Sequence, residues 1–254
     1  MQSSTVDQTQ SANTPTWVRE ALVSLEFSDG AVLVEMMRDA PKGLAVVEAP
    51  GKGRLVFKQF KDRRGEATRR FLDQLTHAGL AAPGRFRVSR AHAWLEHNHT
   101  LVTDEAAGTD WGAWFEAEPE KLQATSEAVA QWVAALQQLT VQMEDRSHLR
   151  DLTRLRREAN ALAAAFPTKS QWLGWIIEGI SEGLGKGDPT LVPSHGDLHL
   201  DEVFITDGDP PVVTVVDLVL AGSRRASYDV GFALAMLLVS SRMRTGSFSA
   251  GAMA

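Results

Sequence analysis

Two textures divide this chain, and they constrain its fold more than any single motif does. From Ala31 to Asp104 the apolar residues come in short β-branched or aromatic runs: AVLVEMM, LAVVEAP and RLVFKQF, then two more over 85–95 and 100–104. Each has the length and composition of a strand. The stretch RDAPKG separates the first two runs, and GKG (Gly51 to Gly53) has the composition of a hairpin turn between the next two. One helix interrupts this region over 65–80, where Phe71, Leu72 and Leu75 fall on one side and Gly79 suits a helix end. Beyond Glu120 the spacing changes. Apolar residues recur every three or four positions over Glu120–Met143, Leu149–Phe166 and Ser170–Leu184, the period of helices with one apolar face.

Strands first and helices after predict an α+β chain of two lobes rather than alternating units on a parallel sheet. The expected division is a lead-in over 1–15, a strand-rich lobe over 16–106, a helical lobe over 107–244 and a tail over 245–254. The lead-in is rich in Ser, Thr and Gln, a composition that does not build a core. It has neither a basic n-region nor an apolar run, so it does not read as a signal peptide. The longest apolar run, Val230 to Val239, is about half of the roughly 20 residues that span a bilayer. A cytoplasmic protein with no membrane partner is expected.

Composition narrows the chemistry. There is no cysteine among the 254 residues, which excludes disulfides and thiolate chemistry and leaves oxygen or imidazole to hold any metal. The net charge of −6 and the lack of a basic stretch argue against nucleic acid as a partner.

The helical half is broken by a β-like segment, SHGDLHLDEVFITDGDPPVVTVVDLVLAGSRRASYDVG, running from Ser194 to Gly231. Asp197 follows a short apolar strand. EVFIT and VVTVVD flank a Gly/Pro turn, so they form a hairpin whose open end brings Glu202 and Asp217 near one another and back toward Asp197. Carboxylates gathered at the end of apolar strands are costly to bury alone, and hard oxygen donors suit Mg²⁺. His195 and His199 stand four apart around Asp197, which also admits a zinc hydrolase, although no third ligand follows at a familiar spacing and a glycine interrupts any helix there. Neither GKG nor GLGKGD has the spacing of a Walker loop. The tryptophans at 111, 114, 132, 172 and 175 fall mostly at helical spacing and read as core rather than ligand-stacking; Trp111 and Trp114, beside the division between lobes, are the exceptions that leave a ligand-stacking role open.

HGDLHLDEVF, followed by VVDLVLAG and YDVG, resembles the aminoglycoside phosphotransferase and choline kinase superfamily, with some similarity to maltokinase-type sugar kinases. The likeness extends loosely over residues 30–240 and implies a protein-kinase-like fold: an N-terminal antiparallel sheet lobe and a mainly helical C-terminal lobe. It implies transfer of the γ-phosphoryl group of ATP or GTP to a hydroxyl of a small molecule such as a sugar, amino alcohol or aminoglycoside. Asp197 matches the catalytic base and Asp217 the Mg²⁺ ligand, with Glu202 where the family has an Asn metal ligand. Lys58 stands where a third-strand lysine meets the nucleotide phosphates, with Lys61 as the alternative. Glu66 is the candidate ion-pair partner of Lys58, or else a plain acid at a helix N-terminus. The segment LVTDEAAGTDW, with Thr103 and Glu105, matches the linker beside the adenine, and Arg38 to Gly43 the loop over the phosphates. Asp229 matches an acid that orients the catalytic loop.

Three departures stand against the pattern. Glu202 replaces Asn, RDAPKG has a single glycine, and only 25 residues follow Asp229 where relatives often carry further helices. The first and last keep a second reading open, a nucleotide-binding module with weak or no catalysis.

Overall fold

The structure is a computed structural model and describes residues 14–27, 30–38, 43–144, 148–185 and 190–245. The chain forms two compact units, one from residues up to Trp132 together with Leu200–Val219, the other from Val133–His199 and the chain beyond Leu220.

In the first unit the three β runs become strands β1 (Val32–Arg38), β2 (Leu44–Ala49) and β3 (Gly53–Gln59). They join β5 (Ala91–Leu95) and β6 (Thr100–Asp104) in one antiparallel sheet of order β1-β2-β3-β6-β5. The turn at Gly51 is as expected, with the Lys52 N–H donating to the Ala49 carbonyl at 3.0 Å. Ala45, Val47, Leu55 and Phe57 are fully buried in one cluster with Val18 and Ala21 of helix α1 (Thr16–Ser24), and Trp17 of that helix is nearly so. This nine-residue helix was not evident from the sequence. A helix so short gains its stability from the sheet it covers rather than from its own propensity. Helix α2 (Arg64–His77) buries Phe71, Leu72 and Leu75, the face that its spacing predicts.

The run at 85–95 is not one strand. It splits into β4 (Phe86–Val88) and β5, which belong to different sheets. Strand β4 lies parallel to β10 (Val212–Val215), which forms the expected hairpin with β9 (Val203–Thr206), and β7 (Thr109–Asp110) closes the second sheet on β9. That sheet is why residues 200–219 belong with the first unit, and why the observed division does not coincide with a boundary at 106–109. Gly108 (φ 105°) permits the approach of β7, since a Cβ there would lie 2.3 Å from the Ile205 carbonyl oxygen.

Helix α3 (Trp111–Ala117), another element that the sequence did not announce, starts at Asp110, whose side chain accepts from the Ala113 N–H at 2.8 Å. Trp111 and Trp114 are buried, and so is Trp132 on helix α4 (Leu122–Gln137). Their indole N–H groups donate to Thr125 Oγ1 (3.2 Å), the Ile205 carbonyl (3.3 Å) and the Arg87 carbonyl (2.9 Å). Burying a large apolar side chain stabilises the fold by about 2–3 kcal/mol relative to exposure, and the polar edge of each ring is satisfied. These three are core.

The second unit holds helices α5 (His148–Ala165), α6 (Ser170–Gly185) and α7 (Ser227–Thr245), with a two-stranded antiparallel ladder of β8 (Leu191–Ser194) and β11 (Gly222–Arg225). Trp175 departs from the core reading, because its ring is 64% exposed. Helix α6 is apolar on more than one side. Leu173 and Ile177, four apart, are half-buried and line a groove of about 280 Å³ with Ala159 and Ala163 of α5, while Trp175, Ile176 and Ile180 face outward. Among the described residues no helix is long and apolar enough to cross a membrane.

Candidate active site

Strand β3 alternates, so with Leu55 and Phe57 directed into the core, Lys58 stands on the other face. There its Nζ donates to Asp217 Oδ2, 159 positions further along the chain. Lys61 lies beyond the strand and is exposed. Asp217 follows β10 with φ 56°, an uncommon backbone conformation outside glycine in which Asp and Asn are enriched. Its second oxygen, Oδ1, is buried and has no hydrogen-bond partner. The Val216 N–H donates to the Glu202 carbonyl at 2.9 Å, so the hairpin brings the backbone at 202 beside the residue that precedes Asp217.

Glu66 does not pair with Lys58. Its carboxylate is engaged by Arg63 at 3.2 Å, at the N-cap of α2 three positions before it, and by Arg70, four positions after it on the helix. Neighbours at that helical spacing meet with no change of backbone, and Lys58 is already taken by Asp217. Thr103 sits in β6 opposite Val56 and Ala91. Glu105 is held twice by Arg54: carboxylate to guanidinium at 2.8 Å, and its own N–H to the Arg54 carbonyl at 3.1 Å. Asp104, between them, pairs with His92, which the sequence reading did not single out. Residues 39–42 of the expected phosphate loop lie outside the described residues, as do 186–189.

In the second unit the loop that carries Asp197 is organised around Asp229, in the first turn of α7, where a carboxylate also complements the helix dipole. Asp229 Oδ1 accepts from Ser194 Oγ (2.8 Å) and the Gly196 N–H (2.9 Å), and Oδ2 accepts from the His195 N–H (2.7 Å). The Asp197 N–H donates to Nδ1 of the fully buried His195 at 3.3 Å, which makes Nδ1 an acceptor. His195 therefore braces the loop through that nitrogen. Gly196 (φ 84°) packs so closely that a Cβ would lie 2.2 Å from the Leu220 carbonyl oxygen. Ser194 and Tyr228 were not singled out from sequence, nor was Arg224, which lies 93% buried beside this loop. The signal was faint: each stands within five residues of an acid or histidine that was.

Among the described residues no group of three or more His, Asp or Glu is arranged to hold a metal by itself. Mg²⁺ does not require one, since it is commonly held by one or two carboxylates and by substrate phosphates, and keeps several waters. The orphaned Oδ1 of Asp217, with Glu202 at the open end of the same hairpin, fits such a donor set.

A strand-rich unit whose third strand aims a lysine at an acid past a later hairpin, and a loop acid braced by a buried histidine, define the kinase-like class of two-lobed α+β proteins. The sequence profile of the phosphotransferase enzyme family matches residues 45–248, and the chain belongs to that family. As a member of that family it is a phosphotransferase enzyme. Solved structures agree in fold. The GDP complex of aminoglycoside 2'-phosphotransferase-IIIa is 13% identical with a TM-score of 0.64, over 93% of this chain and 85% of that one. An aminoglycoside phosphotransferase from Streptomyces rimosus, in complex with ADP and streptomycin, is 19% identical with a TM-score of 0.58, over 92% of this chain and 89% of that one. An ethanolamine kinase from Plasmodium vivax is 11% identical with a TM-score of 0.54, over 88% of this chain and 64% of that one. No curated protein matches the chain in sequence.

Proposed function

We propose that this protein transfers the γ-phosphoryl group of ATP or GTP to a hydroxyl of a small molecule: a sugar, an amino alcohol or an aminoglycoside. The observation that carries the reading is the pair of Lys58 with Asp217, a cation and an acid brought together from distant parts of one unit, in a chain of the phosphotransferase enzyme family. Relatives in complex with GDP, or with ADP and streptomycin, support a nucleotide donor and a polyhydroxylated, cationic acceptor.

In this reading Asp197 accepts the proton of the acceptor hydroxyl as its oxygen bonds to the γ-phosphorus. The bond from that phosphorus to the bridging oxygen breaks, and the nucleoside diphosphate leaves. The protein supplies position and charge complementarity more than covalent chemistry. Lys58 exchanges Asp217 for the α- and β-phosphates, and the linker around Thr103 and Glu105 borders the base. With the Glu105 N–H committed to Arg54, the linker's contact to the base falls to other backbone groups. Asp217 and Glu202 would hold Mg²⁺, which neutralises phosphate charge when bound.

Screening sugars, amino alcohols and aminoglycosides for ADP or GDP release, with Asp197→Ala beside the wild type, tests the proposal. Turnover with one acceptor class, abolished in the variant while nucleotide binding persists, is the expected result. Undiminished turnover in the variant sinks the assignment of the base. Glu202, in place of Asn, favours the second reading of a nucleotide-binding module with weak catalysis. Nucleotide binding without turnover in the wild type, and turnover in Glu202→Asn, would establish that one instead.

A further inference from the structure

We propose that Arg224 is a positioning residue for the loop that carries Asp197, an inference that rests on the phosphotransferase reading for its catalytic meaning. Arg224 lies in β11 and is only 7% exposed. A guanidinium is almost never buried to that degree unless its surroundings hold it. One of its supports is the ring of Tyr228, four residues on at the start of α7, over which the guanidinium carbon lies 4.2 Å from the centroid. Stacking of this kind uses the flat, delocalised head of Arg and is not reproduced by Lys.

What the guanidinium faces gives it a role. Gly196, the residue before Asp197, has no room on its Cα: a Cβ there would come within 3.1 Å of Arg224 Nε as well as striking the Leu220 carbonyl. The Gly196 N–H is held by Asp229 Oδ1. A buried cation and a buried acid thus both lie against one residue of the loop. Both come from the short stretch Gly222–Asp229, whose first residues pair with β8 at the point where the loop begins, Gly222 opposite Ser194 and Arg224 opposite Val192. Asp229 determines where the loop amides point. Behind the nearer Leu220 carbonyl, Arg224 helps to close the side of Gly196 where a Cβ would sit, and so contributes to where the Asp197 side chain emerges. A displacement of about 1 Å at a reacting group costs on the order of 100-fold in rate.

Two variants test this, Arg224→Lys and the milder Tyr228→Leu, which removes the ring under the guanidinium and leaves the cation. Two readouts are taken: amide hydrogen exchange over residues 194–199, and kcat with nucleotide KM on whichever acceptor the wild type uses. Exchange in that segment is expected to rise about 10-fold or more in Arg224→Lys, with helix α5 unchanged. By the same displacement argument kcat falls about 100-fold, while nucleotide KM stays within about 3-fold. Tyr228→Leu changes both in the same direction by less. Unchanged exchange at 194–199 overturns the proposal, whether or not an acceptor is known, and so does unchanged kcat where exchange has risen. If Arg224→Lys yields no folded protein, Tyr228→Leu decides alone. Absence of turnover in the wild type counts against the phosphotransferase reading and leaves the exchange result to judge the loop.

Discussion

Asp217 and Asp229 are the same side chain in one stretch of sequence, and the fold uses them in opposite ways. Asp229 is 1% exposed and spends both oxygens on three donors of a single loop. Asp217 is about one-third exposed, gives one oxygen to Lys58 and leaves the other without a partner. The first carboxylate is consumed by structure. The second keeps capacity for a ligand, at the end of a hairpin and in a backbone conformation with a cost of its own. A fully satisfied buried acid and a partly satisfied one therefore report different roles.

The contrast is sharpest in Asp229→Ala. Three donors, two of them backbone N–H groups, would be left buried without an acceptor, at about 1–3 kcal/mol each. Urea denaturation is expected to show a loss on the order of 3–6 kcal/mol, a large share of the stability of an ordinary domain. A loss under about 1 kcal/mol would erase the difference between the two acids. Gly196→Ala comes next, at about 2–3 kcal/mol, because alanine at positive φ is strained and its Cβ meets a backbone oxygen that cannot move aside. Differential scanning calorimetry would read this as a lower Tm, and an unchanged Tm would mean that the loop is looser than its packing implies.

Asp217→Asn should behave in the reverse manner. The Lys58 pair is partly exposed and solvent-screened, so stability changes by less than about 1 kcal/mol. Magnesium-dependent nucleotide binding, followed by titration calorimetry with ATP and GTP, is expected to weaken by more than about 10-fold, each tenfold being about 1.4 kcal/mol. A variant that loses stability and keeps magnesium-dependent binding would reverse the assignment. The smallest effect is expected of Glu66→Gln. Its partners Arg63 and Arg70 are themselves exposed, so the change is below about 0.5 kcal/mol and nucleotide affinity is retained. A marked loss of nucleotide affinity would show that Glu66 leaves its arginines for Lys58 when nucleotide binds.

These residues also show how far sequence reading reached. Strands β2 and β3 were legible from their β-branched and aromatic runs, and Lys58 lay within the second of them while Lys61 lay beyond it. The buried face of α2 was legible from its three- and four-residue spacing. The hairpin of β9 and β10 announced itself through its Gly/Pro turn. What failed depended on partners far along the chain. Strand β4 was joined to β5 in one run because its partner, β10, lies 124 or more positions later. Glu66 had two readings from sequence, partner of Lys58 or acid at a helix N-terminus, and in the structure it meets the local arginines Arg63 and Arg70. Trp175 looked like core because periodicity counts apolar residues and does not know which side another helix covers.

The sequence by itself determined the order of elements and the acids and lysine of the proposed site, since those follow from local periodicity and from resemblance to a family motif. Only the tertiary structure decided which charge each of them meets. Lys58 chose Asp217, Asp229 gathered three donors, and Arg224 came to lie against Gly196, because ion pairs and buried hydrogen bonds depend on distances of a few ångströms that no spacing along the chain encodes.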